Sequence, residues 1–162
     1  MSDAVSNASP LIVLAKADLL GILPALFSRV LVPQAVMDEI QAGPAHDPMK
    51  QALAGSSWII PVRLEPPISP LSTWQTGRGE AEVIEYARLH GRLPVLLDDR
   101  AARRAAEALG IKVYGTLGLV AAATRVGQVE SFAKAVAALR SAGLYLSDAV
   151  IAAVGKDLPS RR

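Results

Sequence analysis

The sequence has 162 residues, the usual length of a single domain. Its 51% of hydrophobic and 20% of charged residues exclude a disordered chain, and its lack of cysteine excludes disulfides, cysteine-based zinc sites and thiol catalysis. A formal net charge of +2 is too small for a dedicated DNA-binding domain, and 4% of aromatic residues is too few for a module that stacks bases on aromatic side chains.

The sequence contains neither a long apolar segment nor a basic N-terminal segment. Its longest stretches without a charged residue contain 12 residues, as at 113–124, whereas a membrane-spanning helix needs about 20. Asp3 stands near the N-terminus, where a secretory signal would carry positive charge. We therefore expect a soluble, cytoplasmic protein.

Short apolar runs alternate along the sequence with segments of helical spacing. The apolar runs predict strands at residues 3–7, 29–32, 58–62, 95–97 and 112–114. Helical spacing and capping residues predict helices at 10–17, 19–27, 34–41, 48–54, 79–90, 100–109, 117–125, 131–141 and 148–154. Residues 65–76 are rich in proline and are predicted to form a loop.

This alternation predicts an α/β domain of three layers, with helices on both faces of a mainly parallel sheet of four or five strands. The predicted strands are apolar throughout, which is typical of strands buried on both faces. The alternative is a flavodoxin-like or Rossmann-type domain that binds a nucleotide. Such a domain has a glycine-rich turn after its first strand, and Asn7-Ala8-Ser9 does not supply one.

Polar residues follow three of the predicted strands. They are Asn7 after the first strand, Asp98 and Asp99 after the fourth, and Thr116 after the fifth. Parallel strands end at a common edge of the sheet, so these residues should meet there. Two further acids, Glu39 and Glu80, lie on the predicted helices. Such oxygen ligands suit Mg²⁺ or Mn²⁺, which activate water in phosphodiester cleavage.

Five short segments resemble, in the same order, motifs of PIN-domain proteins. They are VSNASPLI at 5–12, VPQAVMDEI at 32–40, GEAE at 79–82, LLDDRAAR at 96–103 and GT at 115–116. No single segment is specific, but the ordered set is. The sequence is most similar to a branch of prokaryotic PIN-like proteins related to the toxin ribonucleases of VapC-type toxin–antitoxin pairs.

The resemblance implies a three-layer PIN fold with an acidic site that binds Mg²⁺ or Mn²⁺ and cleaves single-stranded RNA as an endoribonuclease. The residues that match the family's catalytic acids are Glu39, Glu80 and Asp99, with Asp98 as the close alternative to Asp99. The implied metal ligands are these acids together with Asn7, and the small hydroxyl residues beside the metal are Ser9 and Thr116.

The first acidic position of the family pattern is occupied here by Asn7. An amide oxygen can bind a divalent ion but brings no charge, so the resemblance implies a weakened metal site. The alternative function is therefore a non-catalytic PIN-like domain that binds nucleic acid or protein.

Each candidate residue also has a purely structural interpretation. Glu39 fits a solvated helix face, Glu80 fits a helix start where the macrodipole favours an acid, and Asn7 fits a turn. One of Asp98 and Asp99 should cap the helix that starts at residue 100, while the other faces the pocket. We favour Asp99 for the pocket. Ser9, directly before a proline, is predicted as a helix N-cap.

The arginines after residue 99 and the apolar helices of the C-terminal half suggest binding partners. Arg100, Arg103 and Arg104 lie beside the predicted pocket, where they would attract an RNA backbone. Alternatively, Arg103 and Arg104 pair with Glu107 on a solvated helix face. The C-terminal half carries more apolar helix than one sheet face covers, and related PIN proteins pair. We therefore expect a homodimer, with an antitoxin segment as a further partner.

Overall fold

A five-stranded sheet forms the centre of the fold in the computed structural model, which describes residues 1–66 and 77–159. The strands are β1 (Ala4–Ser6), β2 (Val30–Pro33), β3 (Ile59–Val62), β4 (Val95–Leu96) and β5 (Val113–Tyr114). Their order is β3-β2-β1-β4-β5, and all neighbouring strands are parallel. The predicted α/β fold is thus confirmed, with β1 at the centre of the sheet.

Helices connect the strands and cover the sheet. They are α1 (Ala8–Lys16), α2 (Leu23–Leu26), α3 (Gln34–Ala42), α4 (Pro48–Gly55), α5 (Arg78–Leu89), α6 (Arg100–Ala108), α7 (Thr116–Arg125), α8 (Phe132–Ser141) and α9 (Asp148–Gly155), with a 3₁₀ turn over Leu20–Ile22. Each overlaps a predicted helix. Most of the predicted loop at 65–76 lies outside the described residues.

The core lies on both sides of the sheet. Every residue of β1 and β2 is buried, because helices pack against both faces of these strands. Leu11 and Leu14 of α1 and Ile40 of α3 are almost completely buried. Each such side chain contributes about 1.5–3 kcal/mol when it leaves water. This packing fixes the positions from which α1 and α3 approach the edge of the sheet.

The start of α1 differs from the prediction. Asn7, and not Ser9, occupies the N-cap position, while Ser9 is exposed in the first helical turn. The backbone N–H of Asn7 donates to the carbonyl of Leu96 at 3.1 Å, so pairing with β4 continues to Asn7 and the helix begins directly afterwards. Pro10 fits in the first turn, where its missing N–H leaves no helical hydrogen bond unmade. Asn7 is thereby fixed at the carboxyl edge of the sheet.

Within the described ranges, no single helix has the length and apolar character needed to cross a membrane. The segment from α1 to α2 reaches that length only as a pair of helices bent by 116°.

Candidate functional site

The side chain of Asn7 is buried at the carboxyl end of the central strand, with 4% of the residue exposed. Its Nδ2 donates a hydrogen bond to Oε1 of Glu80 at 3.1 Å. Its Oδ1 is buried and has no hydrogen-bond partner among the described residues. The proposed turn role is not observed, because the side chain bonds to Glu80 and caps no backbone N–H of α1. An unpaired buried oxygen costs about 1–3 kcal/mol, so it marks a position where a ligand would be stabilising.

Gly79, in the first turn of α5, lies where Asn7 and Glu39 meet. A Cβ on Gly79 would stand 2.7 Å from Oε1 of Glu39 and 3.0 Å from Oδ1 of Asn7. Side chains do not tolerate such distances, so the absence of a Cβ allows the carboxylate of Glu39 to approach α5. The two oxygens therefore lie within 3.0 Å of a common point.

Glu39 and Glu80 repel each other at this position. Glu39 is exposed as a residue, but its carboxylate lies against Gly79. Burial of that carboxylate, and secondly the negative charge of Glu80, raise the pKa of Glu39 above its ordinary value. Glu39 thus lies on an exposed part of α3 while its carboxylate reaches the start of α5. A cation between the two carboxylates would relieve the repulsion.

The roles of Asp98 and Asp99 differ from the prediction that Asp99 faces the pocket. Asp99 is the N-cap of α6, where its Oδ2 accepts the N–H of Ala102 at 2.9 Å. Asp98 accepts the N–H of Thr116 at 2.8 Å and its hydroxyl at 2.6 Å. The preference for Asp99 as the acid that does not cap α6 was wrong, because Asp99 directly precedes the first helical residue and its extended backbone suits a cap.

The bond from Asp98 to Thr116 caps a second helix. Thr116 is completely buried and begins α7, whose N-cap residue, Gly115, has no side chain to accept a hydrogen bond. Asp98 therefore satisfies the first turn of α7 from the end of β4. Arg103 lies close by, since a Cβ on Gly115 would stand 3.0 Å from a guanidinium nitrogen of Arg103 and 3.3 Å from Oδ1 of Asp98.

Glu82 is an acid that sequence reasoning did not single out. It is buried in α5, with 6% of the residue exposed, and its Oε2 accepts the N–H of Ala35 in α3 at 2.8 Å. The sequence does carry a signal for this contact. Pro33, at the N-cap position of α3, has no side-chain acceptor, so the start of α3 requires an acceptor from elsewhere.

Arginines of α6 line a surface pocket of about 350 Å³ next to Asp98. The residues around it are Asp98, Arg100, Arg103, Arg104 and Glu107. In the described part of the chain these three arginines form no salt bridge within 4.0 Å, so the alternative in which Arg103 and Arg104 pair with Glu107 is not observed. The pocket therefore combines three arginines with two acids, Asp98 and Glu107, that form no close ion pair with them.

A PIN domain family model matches residues 3–159 of the sequence. The chain belongs to the PIN domain family. PIN domains are generally nucleases that use divalent metal ions. The fold is also similar to the solved structure of a PilT N-terminus domain protein from the hyperthermophilic archaeon Sulfolobus solfataricus, with a TM-score of 0.52 and 15% identity over 75% of this chain and 92% of that one. No curated protein matches the sequence significantly.

In this PIN domain the oxygen donors converge only in part. Asn7 and Glu39 meet at Gly79, and Glu80 is linked to them by its bond to Asn7, while its Oε2 lies against Gly77. Asp98 and Asp99 instead bind the starts of α7 and α6. Within residues 1–66 and 77–159, no three His, Cys, Asp or Glu side chains form a group that could hold a metal ion. Two carboxylates and an amide oxygen nevertheless fit Mg²⁺ or Mn²⁺, because such ions commonly keep several water ligands. The buried, unpaired Oδ1 of Asn7 supports this fit.

Proposed function

We propose that this PIN domain is a Mg²⁺- or Mn²⁺-dependent nuclease that cleaves single-stranded RNA internally. The observation that carries the proposal is the meeting of Asn7 and Glu39 at Gly79, together with the hydrogen bond from Asn7 to Glu80, at the carboxyl edge of the parallel sheet. Ligands of α/β domains bind at this edge. A cation bound between Glu39 and Glu80 would relieve the repulsion that, after burial, raises the pKa of Glu39.

Each residue of the site has a proposed role in binding the ion. Glu39 and Glu80 would bind the ion through their carboxylates, and Asn7 would add Oδ1 while its Nδ2 orients Glu80. When bound, the ion activates water and offsets the negative charge that develops on the phosphate. Asp98, in the loop after β4, would add negative charge near the ion, and Thr116 holds its carboxylate in one orientation.

The arginine pocket is the proposed contact for the RNA backbone. Arg100, Arg103 and Arg104 have no acidic partner within 4.0 Å in the described part of the chain, so their charges are available to phosphates. A guanidinium group can donate two parallel hydrogen bonds to one phosphate. This preference favours a nucleic acid over a neutral ligand. Their position next to Asp98 would place the strand beside the carboxylates.

The test is the cleavage of a fluorescently labelled single-stranded RNA in the presence of Mn²⁺. We expect cleavage by the parent protein and its loss in Glu39→Gln and in Glu80→Gln. The control is Glu85→Gln, which makes the same chemical change on α5 at a residue that is paired with Arg88. Cleavage that persists in excess chelator would contradict the proposal.

Binding of the RNA without any cleavage would favour the alternative, a non-catalytic PIN domain. The hydrogen bond from Asn7 to Glu80 is the observation that favours this alternative, because it stabilises Glu80 without a metal. The Asn7→Asp variant separates the two functions. If the parent does not cleave because its metal site is weakened, Asn7→Asp should produce cleavage. If the domain serves for binding alone, Asn7→Asp should also bind RNA without cleaving it.

Two partner predictions belong to the same proposal. The homodimer is supported by α9, an apolar helix without a buried residue, and by Tyr145 and Val150, which are 90% and 48% exposed. Light scattering at micromolar concentration tests it, and a monomer would refute it. The toxin-type role and the antitoxin partner rest on the sequence resemblance, and a small reading frame next to this gene would support them.

A further inference from the structure

We propose that Glu82 is a positioning residue that holds α3, and through it Glu39, against the first turn of α5. The observation is the hydrogen bond of 2.8 Å from the N–H of Ala35 in α3 to Oε2 of Glu82 in α5, two residues that are 47 positions apart in sequence. Only the effect on metal binding rests on the proposed function. The effect on the position of α3 does not.

The start of α3 depends on this outside acceptor. The first N–H groups of a helix have no partner within the helix, and the N-cap residue Pro33 offers no side-chain acceptor. The first turn of α3 also contains no acidic residue. Glu82 therefore supplies both a hydrogen-bond acceptor and a negative charge at the positive end of the α3 dipole.

Burial shows that this contact is specific. Glutamate is seldom buried without a compensating interaction, yet only 6% of Glu82 is exposed. The N–H of Ala35 and the adjacent helix N-terminus compensate the desolvation of the carboxylate. Because this acceptor is on α5 and the donor is on α3, the compensation is lost when the two helices separate.

The contact between Ala35 and Glu82 also affects the position of Glu39. Ala35 and Glu39 are four residues apart, so they lie one turn apart on the same face of α3. α3 meets α5 twice on this side, at Glu82 through the backbone N–H of Ala35 and at Gly79 through the carboxylate of Glu39. The first contact fixes the end of α3 from which the helix extends to the second. Loss of the first contact should therefore move Glu39 away from Gly79 and Asn7.

The experiment compares three variants of the full chain. Glu82→Met removes the acceptor at similar side-chain length, and Glu82→Gln keeps an oxygen that can accept the N–H of Ala35. Asp47→Ala is the matched control, because Asp47 is likewise 6% exposed and caps a different helix, α4, through the N–H of Met49. The readouts are the ¹H–¹⁵N spectrum of the metal-free protein, including the side-chain amide of Asn7, and the affinity for Mn²⁺.

We expect Glu82→Met to shift the amide signals of α3 up to Glu39 and the side-chain amide of Asn7, and to weaken Mn²⁺ binding roughly tenfold or more, as loss of an outer support does at metal sites. Glu82→Gln should retain most of the parent's spectrum and affinity. Asp47→Ala should lower stability without moving these signals. If Glu82→Met and Asp47→Ala leave the α3 and Asn7 signals equally unchanged, the positioning role is refuted.

Two further outcomes separate this inference from the proposed function. If the parent binds no Mn²⁺ but the spectra change as expected, the metal site is wrong and the positioning of α3 stands. If Glu82→Met does not fold, hydrogen exchange in the parent decides. The Ala35 amide should then be protected like the interior amides of α3, and exchange as fast as in an open loop would overturn the inference.

Discussion

The side-chain amide of Asn7 donates to Oε1 of Glu80 at 3.1 Å, across 73 residues of sequence. This bond turns the NH₂ group toward one carboxylate and leaves Oδ1 unpaired at the point that Glu39 also reaches. Asn7 is therefore both a donor that stabilises Glu80 without a metal and an oxygen ligand that is free to bind one. A change of Asn7 to an acid should therefore lower the stability of the metal-free protein but raise its affinity for a metal ion.

Asn7→Asp should destabilise the metal-free protein and strengthen metal binding. The change removes the donor to Glu80 and adds a third negative charge, at a cost of about 2 kcal/mol in the free energy of unfolding. The same charge should tighten Mn²⁺ binding about tenfold, which corresponds to about 1.4 kcal/mol. Urea unfolding without metal and calorimetric titration with Mn²⁺ measure the two effects. Asn7→Ser is the control, since it removes the donor but adds no charge and should show no gain in affinity. Unchanged affinity in Asn7→Asp would place Asn7 outside the site.

Gly79→Ala should displace the carboxylate of Glu39, because the added Cβ would stand 2.7 Å from its Oε1. The matched control is Gly118→Ala, where a Cβ on α7 meets nothing within 4 Å. Relief of glycine's backbone entropy should stabilise the control by about 0.5–1 kcal/mol with unchanged Mn²⁺ affinity. Gly79→Ala should gain less stability and bind Mn²⁺ more weakly. Equal affinities in the two variants would show that no ligand uses the space next to Gly79.

The stability of the metal-free protein should depend on pH through Glu39. Its pKa is higher in the folded protein than the ordinary 4.5, so the folded state binds more protons in the interval above pH 4.5. The contribution of Glu39 to stability is therefore greatest below this interval and falls as pH rises through it. The measurement is the difference in unfolding free energy between parent and Glu39→Gln across this range, and a constant difference would contradict it.

Glu85→Gln provides a comparison in which the dependence of stability on pH has the opposite sign. A hydrogen bond from Arg88 lowers the pKa of Glu85, so its contribution to stability is present above pH 4.5 and is lost as the pH falls.

Arg103→Gln should weaken the binding of single-stranded RNA and reduce the dependence of its affinity on salt. Neutralisation of one phosphate contact changes the slope of log affinity against log salt by about 0.7 for a single strand. Arg125→Gln, at the exposed end of α7, makes the same change in net charge away from the pocket. Fluorescence anisotropy at several salt concentrations distinguishes them. Equal slopes for the two variants would mean that the arginine pocket does not bind the RNA backbone.

The order of helices and strands could be predicted from the sequence, because the spacing of apolar residues follows the pattern of buried positions in each element. The parallel order of the strands brings Asn7 to the carboxyl edge of the sheet, as predicted. Glu39 and Glu80 lie on helices, whose approach to Asn7 the strand order does not determine, and the shared metal site stays a prediction. The roles of Asp98 and Asp99 could not be assigned. Two adjacent carboxylates have the same propensity to cap, and the choice depends on which one lies next to Thr116 in space.

The contact of Glu82 with Ala35 was missed for a related reason. It joins α3 and α5, and the acceptor lies on a helix face that the spacing of apolar residues does not distinguish from an exposed one. A helix start that lacks its own cap, as α3 does at Pro33, indicates that an acceptor is needed but does not identify it.

The most direct test of the central claim is the anomalous X-ray signal of Mn²⁺ in crystals of the protein grown with the ion. We expect a single Mn²⁺ position bound by Oδ1 of Asn7 and by the carboxylates of Glu39 and Glu80, and its loss in Glu39→Gln crystals. A Mn²⁺ ion bound at Asp98 and Asp99 instead, or the absence of any bound ion at a Mn²⁺ concentration that saturates RNA cleavage, would contradict it.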